Sequence, residues 1–446
     1  MTRDLTTGSP MRLIAGFTLP TLLGLLFQQL YNLVDTMIVG KLLGSAALAA
    51  VGSTGSISFL VIGFCMGICN GFAIPVAQRI GAGEPSKMRR YVANAAYLGA
   101  GIAVVLTAAT GLLCRTILTA MQTPEEIFAD AYSYIFVIFM GIPASILYNL
   151  LAAIMRSLGD SKTPVYFLAL ASILNIGLDF AFILLFRAGV AGAAIASLFA
   201  RMVGAVLITC LLRFKPHVIQ LEAVFKLDFQ PEMIKNILKF GVPTGLENGM
   251  FQIGRLMTQG LVATFGLTAT TANAIGMSLS AFPQIPGTAI GLAMVTVVGQ
   301  CIGARRQEEA KRYTLKLTGL AYLAMGALNL VMLALLPVVI GIYNPSPATA
   351  ALARELMLYC IACTILLWPA SFVLPNGLRA AGDVRFTMTV SIVSMWVFRI
   401  GFSYLLAKGL QMGVLGVWIA MTIDWAFRIL CFAIRFFRGK WMNKQL

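Results

Sequence analysis

Residues 75–91, PVAQRIGAGEPSKMRRY, return 222 positions later as VVGQCIGARRQEEAKRY at 297–313. Half of the 446-residue chain is 223, so one unit is written twice. Other pairs keep that spacing to within two residues: Pro20-Thr21 with Pro243-Thr244, Arg156 to Asp160 (RSLGD) with Arg379 to Asp383 (RAAGD), and Gly189 to Gly192 (GVAG) with Gly413 to Gly416 (GVLG). A repeat of this length decides architecture ahead of any local motif, because each copy is a folding unit and one operation relates the two.

What each unit is made of follows from composition. At 59% hydrophobic and 11% charged residues, against roughly 45–50% and about 25% in soluble domains, the chain cannot present polar surface on every side. Its apolar runs have the length of about 20 residues needed to cross about 30 Å of hydrocarbon as helix. Twelve such segments can be read, six in each half, and the alternation of a membrane β-barrel is absent. An all-α integral membrane protein is expected, with an N-lobe over 1–212, a linker over 213–232 that holds the chain's one histidine, and a C-lobe over 233–446. Six crossings per half return the chain to the side it started from, so the two repeats are parallel, a plan used by secondary transporters.

Charge orients the bundle. Of the 33 Lys and Arg, 24 fall in the segments on the side holding both termini, five (Lys41, Arg115, Arg187, Arg354, Lys408) on the other, and four within helices. The positive-inside rule then puts both termini in the cytoplasm. The +16 net charge is read as this topology signal and not as a nucleic-acid surface, since the basic residues are scattered over short loops. The start, MTRDLTTGSPMRLIAGF, has the charged character of a secretory leader, yet its helix has a counterpart after Lys239, so it is expected to be retained. The eight cysteines fall mostly within apolar segments and are expected to be reduced, buried thiols.

No phosphate-binding GxxxxGK[ST] loop and no HExxH is present, so the chain carries neither ATP hydrolysis nor most metal enzymology, and it is not expected to be an enzyme or to hold a cofactor. Glycines at 63, 67 and 71, and again at 287 and 291, are read as close helix packing. Pro20, Pro75, Pro143, Pro243, Pro283, Pro286 and Pro369 should bend their helices. The informative residues are the ionisable ones inside helices: Asp35, Asp179, Arg201, Glu247, Arg255, Arg399, Asp424 and Arg428. A charge at mid-bilayer costs about 2.5–3.5 kcal/mol on insertion scales, so these should face protein or water.

Asp35, Asn175, Asp179, Ser197 and Tyr134 fall within about 10 Å of one depth in the outer part of the first half. No basic partner is expected at that depth. Two close carboxylates in a poorly hydrated site cannot readily both ionise, so the pair should take up a proton or a cation. The same oxygen set, Asp35, Asn175, Asp179 and Ser197, suits sodium. The second half has Thr258 and Phe402 at the positions matching Asp35 and Asp179. Its own charges, Arg399, Asp424 and Arg428, are read as an internal salt-bridge network, the alternative being that Arg255 or Arg399 lines a cavity and binds anionic or polar groups.

The parallel duplication, YNLVDTMIVG in the first segment, ILNIGLDFAFI in the fifth and the RSLGD/RAAGD pair together resemble the MATE (multidrug and toxic compound extrusion) family of the MOP flippase superfamily, over nearly the whole chain. The DinF-like branch fits best, since Glu247 does not align well with the seventh-segment glutamate of members with a C-lobe cation site. The resemblance implies two six-helix lobes around a V-shaped cavity in a bacterial plasma membrane. It also implies a monomer that exports drug-like organic compounds, often cations, by alternating access in exchange for H+ or Na+. Carried over by residue, the cation site would be Asp35, Asn175, Asp179 and Ser197, where the family more often has Thr, with Tyr134 and Asn149 nearby. The competing function is a lipid-linked oligosaccharide flippase of the same superfamily.

Overall fold

The computed structural model describes residues 10–214 and 228–442, and among these every regular element is helical. Lipid leaves no other choice to a chain that spans it without closing a barrel, because a helix satisfies its own backbone hydrogen bonds. The first half runs α1 (Pro10–Leu43), α2 (Ser45–Gly81), α3 (Pro85–Ala120), α4 (Glu125–Met140), α5 (Ile142–Ser157), α6 (Lys162–Phe180) and α7 (Gly189–Phe214). The second runs α8 (Pro231–Ala263), α9 (Leu267–Gly303), α10 (Gln307–Ile342), α11 (Pro347–Trp368), α12 (Leu374–Ala380), α13 (Val384–Val393) and α14 (Gly413–Phe437). Segments of π-helix extend α6 (Ala181–Leu185), join α11 to α12 (Pro369–Val373) and continue α13 (Ser394–Gly401 and Leu405–Gly409).

Among the described residues ten helices are long and apolar enough to cross a membrane, and α4 with α5, bent by 45° beside Pro143, make an eleventh if the pair is one span. The seventh of the twelve expected segments, α8, is 33 residues long but carries Glu232, Lys235, Lys239, Glu247 and Arg255, and does not join that set. Pro20, Pro75, Pro243, Pro283 and Pro286 lie inside helices that continue through them. Most of the 213–232 linker, with His217, lies outside the described residues.

The duplication is visible in the turns. After α2, the amides of Ala82, Gly83 and Glu84 bond the carbonyls of Gln78, Ile80 and Arg79; after α9, those of Ala304, Arg305 and Arg306 bond Gln300, Ile302 and Cys301. Gly83 and Arg305, 222 apart, both adopt positive φ, 69° and 59°. The first copy has glycine where that conformation favours it, and the second holds an arginine there. Glu84, half-buried in the first of these turns, bonds Lys87 at 2.9 Å and Arg79 at 2.8 Å, and these two cations hold its carboxyl below the usual carboxylate range.

Two compact units emerge, Met1–Gly249 and Met250–Leu446, with the division inside α8. Between helices in lipid the hydrophobic effect offers little, so close approach of small residues does the packing. In the first unit, a Cβ on Gly67 would lie 2.7 Å from Thr244 O, and one on Gly71 would lie 2.6 Å from Gly241 Cα. The glycines of α2 therefore pack the backbone of the first half of α8. Around them Ile68, Phe72, Tyr91, Ile135, Phe139, Ile146 and Ile154 form the core. In the second unit, a Cβ on Gly287 would collide with the ring of Trp368 and one on Gly291 would meet Asn376 at 2.6 Å, the same device on α9.

Candidate functional site

Three helices of the first unit each contribute two polar residues one turn apart: Tyr31 and Asp35 on α1, Asn175 and Asp179 on α6, Ser197 and Arg201 on α7. Spacing of four residues stacks each pair on one helix face. Ser197 is the joint between them. Its Oγ lies 3.0 Å from Tyr31 Oη, and the Asn175 carbonyl accepts from Ser197 Oγ at 3.1 Å and Ser197 N at 2.9 Å. That orientation of the amide turns its nitrogen to Asp179, donating to Oδ2 at 3.1 Å.

Asp179 is fully buried and Asp35 half-buried. Their carboxyl groups interact directly, and Oδ1 of each is buried without a hydrogen-bond partner. A buried carboxylate oxygen left unpaired is costly. One proton held between the two groups removes the repulsion and supplies the missing donor. Among the described residues no group of three or more His, Cys, Asp and Glu side chains is arranged to hold a metal ion.

The structure thus brings Asp35, Asn175, Asp179 and Ser197 together. Tyr134, on α4, is close enough to feel the charges of Asp35 and Asp179. Asn149 is not directed at the carboxyls by its amide, which donates to Ser145 O at 2.8 Å along its own helix. Two participants were missed in the sequence. Tyr31 lies one turn before Asp35, a spacing that could have drawn it in. Arg201 corrects the expectation that no base lies at this depth: its charge acts on Asp35, Tyr31 and Tyr134, while its Nη1 donates to Ser145 Oγ at 2.9 Å. It forms no ion pair with either aspartate among the described residues.

Arg255 and Arg399 belong to the second unit. Arg399 Nη1 lies 3.7 Å from Asp424 Oδ2, and Asp424 Oδ1 accepts from Ser394 Oγ. Arg428 lies 4.5 Å above the ring of Phe372. An expectation that the cysteines form no C-x-x-C pair is wrong for Cys360 and Cys363 on α11, which stand in that spacing; both are free thiols, the first buried and the second half-buried.

A family model, MatE, matches residues 20–181 and 243–405, one stretch in each half of the chain. A probable multidrug resistance protein of Bacillus subtilis, YoeA, is 26% identical over 98% of this chain and 96% of its own length. A probable multidrug resistance protein of Thermotoga maritima, NorM, is 27% identical over 94% of this chain and 90% of its own. Among solved structures, a MOP superfamily transporter from Pyrococcus furiosus aligns over the whole of both chains with a TM-score of 0.90 at 23% identity. A MATE protein in a bent conformation aligns over 99% of this chain and 97% of its own with a TM-score of 0.86 at 24% identity.

Proposed function

The chain belongs to the MATE family of multidrug efflux transporters, and from that membership we propose that it exports organic compounds in exchange for protons bound between Asp35 and Asp179. The observation that carries this reading is the facing carboxyl pair with one unpartnered oxygen on each residue. A proton needs only those two oxygens. Sodium prefers a shell of several oxygens, and here the Asn175 carbonyl is taken up by Ser197 while the Asn175 amide nitrogen faces the site. Protons therefore fit the donor set better than sodium does. The relatives named as multidrug resistance proteins favour drug export over a lipid flippase.

Coupling would work by competition or by conformational change: a proton on the pair relieves repulsion between α1 and α6 and lets them approach, which remodels the N-unit face where substrate binds and lowers substrate affinity. Alternating access then returns the empty carrier. In vesicles loaded with a fluorescent organic cation, an imposed proton gradient alone should drive transport, and an imposed sodium gradient at matched pH should not. Transport driven by sodium alone would reassign the ion.

Both termini are proposed to be cytoplasmic, on the asymmetry of Lys and Arg between the two sides. A cysteine introduced at Glu125, before α4, should react with an impermeant thiol reagent in intact cells, and one at Lys87 only after permeabilisation. The reverse pattern would invert the topology.

A further inference from the structure

The second unit encloses more positive than negative charge in an aromatic setting. Arg255 on α8 is half-buried, and its guanidinium has no hydrogen-bond or ion-pair partner among the described residues. It stands one turn after Phe251 on the same helix face, and the Arg399 guanidinium lies over that same Phe251 ring, so the two cations flank one aromatic side chain. Arg399, only 7% exposed, has one carboxylate at hand, Asp424, at 3.7 Å. That separation is beyond a hydrogen bond, and both Arg399 Nη1 and Asp424 Oδ2 lack a hydrogen-bond partner. Trp425, 2% exposed, has an indole N–H that is also unpartnered.

These groups share one aromatic frame. Arg399 sits 5.3 Å from the centre of the Phe251 ring; Phe251 meets Phe372 edge-on at 6.3 Å, and Phe372 meets Trp425 edge-on at 6.0 Å and stacks on Trp368 at 4.9 Å. A salt bridge built only for stability would match charges and close its hydrogen bonds. Here the one acid is loosely placed against Arg399, Arg255 has no acid at all, and the buried donors of Arg399 and Trp425 remain open.

We propose that Arg255 and Arg399 form a binding site for the carboxylate of an aromatic organic compound. The guanidinium forks supply paired N–H donors suited to a carboxylate, and the rings of Phe251 and Phe372 supply contact for a flat apolar body. The proposal rests on the drug-export reading for the nature of the ligand, but not on which ion drives transport.

Rhodamine 110 and rhodamine 123 test it, since they differ only in that the first has a free benzoate and the second its methyl ester. Binding of each to purified full-length protein in detergent is followed by fluorescence anisotropy at one pH and one salt concentration. Arg255→Gln should weaken rhodamine 110 about tenfold relative to rhodamine 123, the scale of one lost charge-assisted hydrogen-bonded contact, and Arg255→Lys should recover part of the difference. Because Arg255 has no acidic partner, its replacement strands no buried carboxylate, and the variant should fold. An acid-to-ester ratio unchanged by Arg255→Gln overturns the proposal, as does equal loss of both dyes or failure of the wild-type protein to bind rhodamine 110. No gradient enters the measurement, so a failure of proton coupling in vesicles would leave this result standing.

Discussion

Asp35→Asn should reduce drug efflux to the background of cells lacking the protein, while the protein still inserts and purifies in wild-type amount. Asparagine keeps the size and most of the polarity of the side chain, so the packing of α1 against α6 is preserved. It cannot exchange a proton at physiological pH. The half-buried position of Asp35 leaves it in reach of water, as a group that loads and unloads must be, while Asp179 beneath it is fully enclosed. Arg201 forms no ion pair with Asp35 among the described residues; its guanidinium donates to Ser145 Oγ. Asp35→Glu, which retains a titratable group about one bond further out, should keep partial activity. Wild-type efflux by Asp35→Asn would remove Asp35 from coupling, and loss of folded protein would make it a structural residue.

Substrate affinity in detergent should fall as pH is lowered, by the 5–150-fold that a coupling free energy of about 1–3 kcal/mol supplies. The sign follows from competition: protonation stabilises the form of the carboxyl pair that releases substrate, so weak binding lies at low pH and tight binding at high pH. Linkage then requires substrate to weaken proton binding by the same factor, so substrate addition to a weakly buffered sample should release protons. Sodium at fixed ionic strength should leave the affinity unchanged. Asp179→Asn should flatten the pH dependence, because one carboxyl next to an amide no longer shares a proton with an equal partner. The amide of Asn175 would then face the new amide or turn over, loosening its bonds to Ser197, so a smaller change in substrate affinity at all pH values should accompany the flattening. An affinity that responds to sodium and not to pH would transfer coupling to sodium; full pH dependence retained in Asp179→Asn would return Asp179 to holding α1 to α6.

The doubled architecture was legible because it depends on local properties. Hydropathy and segment length state which stretches enter lipid, and positive-φ turns recur at matched positions, Gly44 with Gly266, Gly159 with Gly382 and Gly189 with Gly413, as the sequence repeat requires. The glycines at 67 and 71 announced close packing for the same reason, since a missing Cβ is a local fact, although only the fold shows that their partners are Gly241 and Gly245 and that the unit boundary consequently falls inside α8. Asp35, Asn175, Asp179 and Ser197 could be assembled from depth alone, because rise per residue fixes height along a helix. Depth says nothing about rotation. The rotation of α1, α6 and α7 about their own axes is set by how their side chains interlock, and it decides that Tyr31 reaches Ser197, that Arg201 comes near Asp35, and that the Asn149 amide stays on its own helix. The contact of Asn175 with Ser197 and the seat of Arg399 over the ring of Phe251 are likewise relations between different helices, where tertiary packing alone supplies the distance.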